Sequence, residues 1–423
     1  MSLAPARRAL LAALLAASAS AQTEVRLALD GQAAAPNPGL ALPAFEAEDP
    51  KIGEDVLLAK QLRAIVRQDL MLSRRFEVKD DENAAEPVKG ATWRLTGKAS
   101  KKADKVAVRV RLANAEGGEA VFERYYRQDS AWLRSLAHRI ADDIVKAATG
   151  RDGIARTRIA FANNNTGHKE IWVMDYDGEN VKRLTNNRSI SLLPRFSPDG
   201  RRLAYTTYKD GNPDLFVLDL ETGHARVFSD EQGLNVAGGF SPDGKKLLMT
   251  LSRGKSPNLY LKALDASGEA ERLTSHFGAD STPTFSPDAR QVAFVSDRSG
   301  NPQIHVLDLP TKQIRRLSNL NWCDAPAWSP TGEWIAFSGR VHNKDKMDIF
   351  IIDITGGQIR QLTHGEGSNE DPAWSPDGRF LAFSSTRGGR SQIWVMDQDG
   401  SAPRLMADVA GASVTPHWSL IAR

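Results

Sequence analysis

Beyond Arg158 the apolar residues fall in short runs separated by polar turns, and the runs recur in a fixed order. Each unit opens on an aromatic-Ser pair: "PRFS", "GGFS", "PTFS", "PAWS", "PAWS" and "PHWS", with marker serines Ser197, Ser241, Ser286, Ser329, Ser375 and Ser419. Successive spacings are 44, 45, 43, 46 and 44 residues. A turn comes next, Ser-Pro-Asp-Gly in its full form, where Pro presets the first dihedral, Asp bonds its own backbone and Gly takes positive φ. Then come three strand-length segments, such as "RLAYTT", "DLFVLDL" and "ARVFSD", rich in β-branched and aromatic residues. That period belongs to propeller blades of four strands each. The copies vary: Thr331 replaces the turn Asp, Ala289 the turn Gly, and Gly238 the usual Pro. Ala263 stands where other third strands carry Asp175, Asp219, Asp308, Asp353 and Asp397, which read as turn-capping scaffold.

The last copy, "TPHWSLIAR", starts a unit and stops. Conversely "RIAFAN" at Arg158, "EIWVMDY" at Glu170 and "KRLTNN" at Lys182 form a unit lacking only its first strand. The fragments complement each other, so the pattern predicts a six-bladed ring whose last blade joins both ends of the propeller. Closure removes two exposed blade edges and adds ~4 backbone hydrogen bonds at roughly 1 kcal/mol each, besides packing Trp418.

Residues 22–156 lack the repeat and predict a small α/β domain ahead of the propeller at 157–423. Gly53 to Arg74 fits a helix and "FEVK" a strand. "TWRLTGKA", "KVAVRVRLAN" and "AVFERYYR" alternate as antiparallel strands, with a Gly117-Gly118 turn breaking the middle one. Ser130 is expected to cap a helix through Thr149, with Leu133, Leu136, Ala137, Ile140 and Ile144 on one face and Gly150 at C′. "GRDGIART" reads as the linker. "EVRLALD" (Glu24–Asp30) is strand-prone, and Pro36, Pro38 and Gly39 uncouple it from the remainder of the domain.

Composition changes this picture little. With 25% charged and 41% hydrophobic residues among 423, the chain is of ordinary globular type. Residues 1–21 read as a secretory signal: Arg7-Arg8, the apolar "ALLAALLAAS", and an Ala19-Ser20-Ala21 cleavage site before Gln22. That run is too short to span a bilayer. Removing it, with its two arginines and no acid, leaves 53 basic against 52 acidic residues, a net of +1. Net charge therefore makes no case for nucleic acid or a membrane surface. Cys323 is the only cysteine, so no intramolecular disulfide can form, and it reads as a small buried hydrophobe.

No G-x-S-x-G, H-E-x-x-H, C-x-x-C, P-loop or dinucleotide fingerprint is present, and the eight histidines share no metal-ligand spacing. No catalytic residue, cofactor or metal is expected. The loops entering the first strands converge at one mouth of the central channel. Four positions before each marker aromatic sit Leu192, Val236, Ser281, Asp324, Glu370 and Val414, with Asp280, Asn369 and Asp371 adding polarity on one side. These are either solvated loop residues or a lopsided, partly acidic docking rim for a partner or a cation.

The order signal peptide, small α/β domain and six W-S-P-D-G units resembles the TolB family, the periplasmic component of the Tol–Pal envelope system. "EVRLALD", "WLRSLAHRIADDI" from Trp132, "RTRIAF" from Arg156 and the repeats carry the resemblance across essentially the whole chain. It implies a non-enzymatic, periplasmic protein-binding scaffold serving outer-membrane integrity and constriction at cell division. The channel mouth would dock the lipoprotein Pal through Leu234, Asn235, Asp280, Ser281, Asp324, Asn369, Glu370 and Asp371. The mature N-terminus (Glu24, Val25, Arg26, Leu27, Leu29 and Asp30) would engage TolA. Other outer-membrane proteins are possible partners; nucleic acid and direct membrane insertion are not implied. Leu234 and Val236 make the second loop apolar where the resemblance implies a more polar edge. W-S-P-D-G units also occur in propellers attached to peptidases and sugar lyases, so the alternative is a secreted hydrolase or lyase acting on peptide or sugar.

Overall fold

Six four-stranded antiparallel sheets are built from residues 158–418 in a computed structural model that describes residues 37–80, 88–253, 256–265 and 268–420. The first sheet, blade 1, runs through Ser191–Phe196, Arg202–Thr207, Asp214–Asp219 and Ala225–Ser229. Blades 2, 3, 4 and 5 begin at Asn235–Phe240, Asp280–Phe285, Trp322–Trp328 and Asn369–Trp374. Blade 6 pairs Ser413–Trp418 with Arg158–Asn163, then Glu170–Asp175 and Lys182–Arg183. The six first strands touch in cyclic order, that of blade 6 meeting both blade 5 and blade 1. The ring is closed by the C-terminal strand as predicted, with Trp418 opposite Ile159 and Val414 opposite Ala162.

The Ser-Pro-Asp-Gly turns explain themselves locally. In blade 5 the Ser375 hydroxyl donates to Asp377 (2.7 Å) and accepts from the Phe380 amide (2.9 Å), while Gly378 N–H closes onto Ser375 O (2.9 Å). Where Ala289 replaces the glycine it still sits at φ +59°, a left-handed conformation costing roughly 1–2 kcal/mol without glycine. The aspartates closing the third strands act as expected in three blades: Asp219, Asp308 and Asp353 accept hydrogen bonds from the backbone of their own turns.

Ahead of the ring lies a six-stranded sheet of β1 (Gly39–Leu42), β2 (Glu46–Ala47), β3 (Glu77–Asp80), β4 (Trp93–Lys102), β5 (Lys105–Asn114) and β6 (Ala120–Asp129). Its order is β3-β1-β4-β5-β6, with β2 also on β4. Helices α1 (Gly53–Leu72) and α2 (Leu133–Thr149) lie on one face. Leu58, Leu62, Val66, Leu70, Leu136, Ile140 and Ile144 bury against Leu95, Val106, Val108, Val110 and Leu112.

Two local expectations are corrected. Ser130 does not cap α2: a 3-10 turn (Ser130–Trp132) intervenes, and the capping position falls on Trp132 with no side-chain bond. Gly117 and Gly118 (φ +100° and +145°) turn the chain between β5 and β6 rather than breaking β5. The linker packs into the fold. Ile154, Ala155 and Thr157 are buried, and the Asp142 carboxylate accepts the Ala155 amide (2.7 Å) and Arg156 Nε (2.8 Å).

Helices and propeller share one hydrophobic cluster, in which Leu70, Ile144 and Ile154 join Ile159, Tyr176, Phe380 and Trp418. Buried charge crosses the same joint. His138 Nδ1 lies 2.7 Å from Asp69 and its Nε2 3.9 Å from Asp175, while Tyr176 OH donates to Asp69 (3.1 Å) and Arg134 pairs with Asp177. Together Asp69, Asp175 and Asp177 raise the His138 pKa to about 9 despite burial. At the rim of the joint Arg75 pairs with Asp377 at 2.8 Å.

Candidate partner-binding site at the channel mouth

The six first strands line the channel, and each carries a register shift just inside the mouth. In five blades the shift contains a left-handed residue followed by proline: Leu193, Thr282, Ala325, Asp371 and Thr415, with φ between +49° and +55°. Such bulges re-aim side chains, and a non-glycine residue held there stores strain. Blade 2 instead has Ala237-Gly238, where a Cβ on Gly238 would lie 2.8 Å from Leu248 O. Below this layer the residue preceding each marker aromatic faces the channel: Arg195, Gly239, Thr284, Ala327, Ala373 and His417. The enclosed space is about 330 Å³ and reaches down to the Ser-Pro turns.

Its charge is uneven. Burial and the nearby Glu370 and Asp324 push the Asp371 carboxyl up to about 6, against the pull of Arg195. Burial also raises Asp324, with Glu370 adding to it. His417 is held neutral, its pKa pressed down to about 3 by burial and by Arg195, and its Nδ1 accepts the Phe196 amide (3.2 Å). Burial lowers Arg195 too. The hydroxyls of Thr282 and Thr415 have no hydrogen-bond partner among the described residues. Carboxylates, one guanidinium and free hydroxyls can bind and orient a polar partner group.

The rim residues expected from the sequence divide. Leu234, Ser281, Asp324 and Asp371 are half-buried and Glu370 is exposed, so these meet the mouth. Asn235, Asp280 and Asn369 depart from the expectation, each being 0% exposed. Asn235 bonds the backbone of Glu231 and Gly233, Asp280 pairs twice with Arg298 (2.8 and 2.9 Å), and Asn369 bonds Asp348, Ser385 and Arg387. They brace the loops from inside. The repeat itself contained the signal. Five positions before each marker aromatic stand Ser191, Asn235, Asp280, Cys323, Asn369 and Ser413, all buried. A residue that recurs as small and hydrogen-bonding in every blade is framework. Cys323 belongs to this set, its Sγ 3.5 Å from Gln303 Oε1.

What sequence reasoning missed is apolar. Phe277 is 87% exposed in the loop entering blade 3, Trp322 is exposed at the start of the first strand of blade 4, and Val341, Ile190 and Tyr208 are exposed in loops on the same face of the ring. Arg340 stacks over Trp322 at 5.4 Å. Isolated loop residues have no periodicity to flag them. Glu24–Asp30 lies outside the described residues.

A family model described as the TolB beta propeller domain matches residues 145–323 and 304–421. The chain belongs to the TolB family. A TolB homologue of Chlorobium luteolum is 36% identical over 333 residues, covering 78% of this chain and 76% of that one. A Tol-Pal system protein TolB of Geobacter sulfurreducens is 39% identical over 162 residues, covering 35% and 38%. Among solved structures, TolB from Acinetobacter baumannii superposes with a TM-score of 0.77 at 26% identity, covering 91% of this chain and 97% of that one. The TolB likeness thus spans the front sheet as well as the ring. Among the described residues, no helix is long and apolar enough to cross a membrane.

Proposed function

We propose that this TolB-family protein is a non-enzymatic periplasmic scaffold. It docks the lipoprotein Pal over the channel mouth and TolA through Glu24–Asp30, serving outer-membrane integrity and envelope constriction at division. The domains carrying these roles are residues 22–156 and 157–423. The observation that supports docking is the grouping of Asp324, Glu370 and Asp371 at an open mouth whose loops also expose Phe277 and Trp322. The Asp324 and Asp371 carboxyls, raised by burial and by the neighbouring Glu370, gain when a partner's cationic or donor group enters. Exposed aromatics supply the apolar anchors that concentrate binding energy.

Calorimetric titration with Pal tests the docking half. Replacing Asp324, Glu370 and Asp371 together by Lys should weaken binding about thirtyfold, the equivalent of ~2 kcal/mol. Unchanged affinity would move the interface elsewhere. For the TolA half, deleting residues 22–30 should abolish TolA binding, and amide exchange in that segment should change when Pal saturates the propeller. Identical exchange with intact TolA binding would leave the segment without a partner role.

A further inference from the structure

The face of the front sheet turned away from α1 and α2 gathers the chain's basic residues. Cross-strand rows there read Lys102–Lys105–Asp129, Ser100–Ala107–Arg127, Lys98–Arg109–Tyr125 and Thr96–Arg111–Glu123, with Arg94 beyond. Over β4, β5 and β6 this gives seven cations (Arg94, Lys98, Lys102, Lys105, Arg109, Arg111 and Arg127) against Glu123 and Asp129. Over these three strands the outward side chains therefore sum to +5, while the chain beyond residue 21 sums to only +1. Glu46 and Glu48 border it on the β2 side, where Glu48 pairs with Lys98 at 3.4 Å. Arg94, Lys102, Arg111 and Arg127 meet no carboxylate at ion-pair distance among the described residues.

Two of the rows place like charges directly opposite each other, Lys102 against Lys105 and Lys98 against Arg109. Such pairs destabilise a sheet. Glu48, Glu123 and Asp129 offset only part of that cost, and an anionic surface laid against the face would relieve more of it. The strands are ten residues long, which sets outward side chains ~7 Å apart along a strand and ~4.8 Å apart across strands. Tyr125 stands beside Arg109, 65% exposed, an amphipathic ring amid the cations.

We propose that this face docks peripherally on a surface of anionic phospholipid headgroups. A flat lattice of cations complements a planar array of phosphates, and a tyrosine among them suits the headgroup layer, where one end of the ring is apolar and the other wet. An acidic protein would share the charge but not the need for a planar array. This contact is independent of the Pal and TolA roles.

The test is co-sedimentation of the full mature chain with vesicles of one part phosphatidylglycerol to two parts phosphatidylcholine, against phosphatidylcholine alone. Binding should favour the anionic vesicles at least tenfold at about 0.1 M salt and vanish near 1 M, where screening shortens from ~10 to ~3 Å. Lys102→Glu with Arg127→Glu should cut it about thirtyfold or more. Lys182→Glu with Lys245→Glu, the same change in net charge on the propeller, should leave it intact. Lys102→Gln with Arg127→Gln reads the same face if the Glu pair fails to fold. No preference for anionic vesicles, or equal loss in both charge-reversed proteins, would overturn the proposal. So would tighter binding to soluble polyglutamate than to the anionic vesicles at matched charge, which would give the face to an acidic protein.

Discussion

The indole Nε1–H of Trp418 donates a 2.7 Å hydrogen bond to the hydroxyl of Thr157, 261 positions earlier in the chain, with both side chains buried. One residue on, Ser419 Oγ accepts the Arg158 amide at 2.8 Å. The C-terminal strand is thus bound to the residues that start the ring, and Trp418 also stacks on Phe380 of blade 5 at 6.5 Å. Trp418→Ala should cost about 3–5 kcal/mol, and Trp418→Phe about 1 kcal/mol beyond its lost volume. Deleting residues 415–423 should make proteolysis start in 158–188 and 375–407. A truncated protein that melts like wild type would refute closure as the stabilising device.

The His138–Asp69 contact makes the joint between helices and propeller sensitive to alkali. His138 faces Asp69, Asp175 and Asp177, with Arg134 and Tyr176 beside them, and its pKa rises from 6.5 to about 9. A basic group with a raised folded pKa contributes stability that is present below 6.5 and lost as pH climbs through 9. Asp69, raised to about 6 chiefly by burial, releases its proton below that window and leaves the ion pair formed across it. Melting temperature should therefore fall between pH 6.5 and 9.5, by an amount equivalent to at most about 3 kcal/mol. In His138→Gln the fall in that interval should disappear, even though the protein starts less stable; an unchanged slope would place the titration elsewhere.

Asp371 should be costly to the fold at neutral pH. Its folded pKa of about 6 exceeds the usual 3.8, so its contribution to stability is greatest below 3.8 and is lost as pH rises through 6. Its partial exposure to the channel moderates the penalty to about 1–2 kcal/mol. Asp371→Asn should raise the melting temperature at pH 7 and lose that advantage by pH 4. Differential scanning calorimetry at the two pH values decides this, and a melting temperature lowered at pH 7 would contradict it.

Phe277, 87% exposed beside His276, and Trp322, partly covered by Arg340, leave apolar area open at the mouth. Phe277→Ser should leave thermal stability within ~0.5 kcal/mol, as for exposed positions generally, while weakening Pal binding at least tenfold. Trp322→Ala should do the same, with some loss from the stacked Arg340. If neither substitution changes the calorimetric affinity, docking does not use this rim.

Alkylation should find Cys323 inert in the native state. Burial pushes its thiol up to about 11, so almost no thiolate exists at pH 8. Rapid labelling by iodoacetamide without denaturant would be the contrary result.

Turn chemistry and strand period are local properties, which is why the blades, their number and the split sixth blade were legible in the chain alone. Ser-Pro-Asp-Gly forms its hydrogen bonds within a few residues, so each copy announces its own turn. The acidic side of the mouth was partly legible for the same reason, since blade topology places the loop residues four before each aromatic. Local pattern misled where two nearby offsets look equally polar. Asp280 and Asp324 are both loop-proximal acids, yet Arg298 neutralises the first inside the blade while the second borders the channel.

By itself the sequence determined the periodic elements, the ring closure and the family, because all three rest on short-range geometry repeated at a constant spacing. Only the tertiary structure decided which polar groups meet. His138 and Asp69 lie 69 positions apart and acquire their shared charge only when α1, α2 and blade 6 pack together. Arg195 and His417 share one channel layer on adjacent blades 1 and 6, though they lie at opposite ends of the propeller sequence. A net charge of +1 concealed a sum of +5 over the outward side chains of three strands, because summing along a chain cancels charges that folding holds apart on different surfaces. Burial and electrostatics depend on through-space neighbours, and those are assigned by packing.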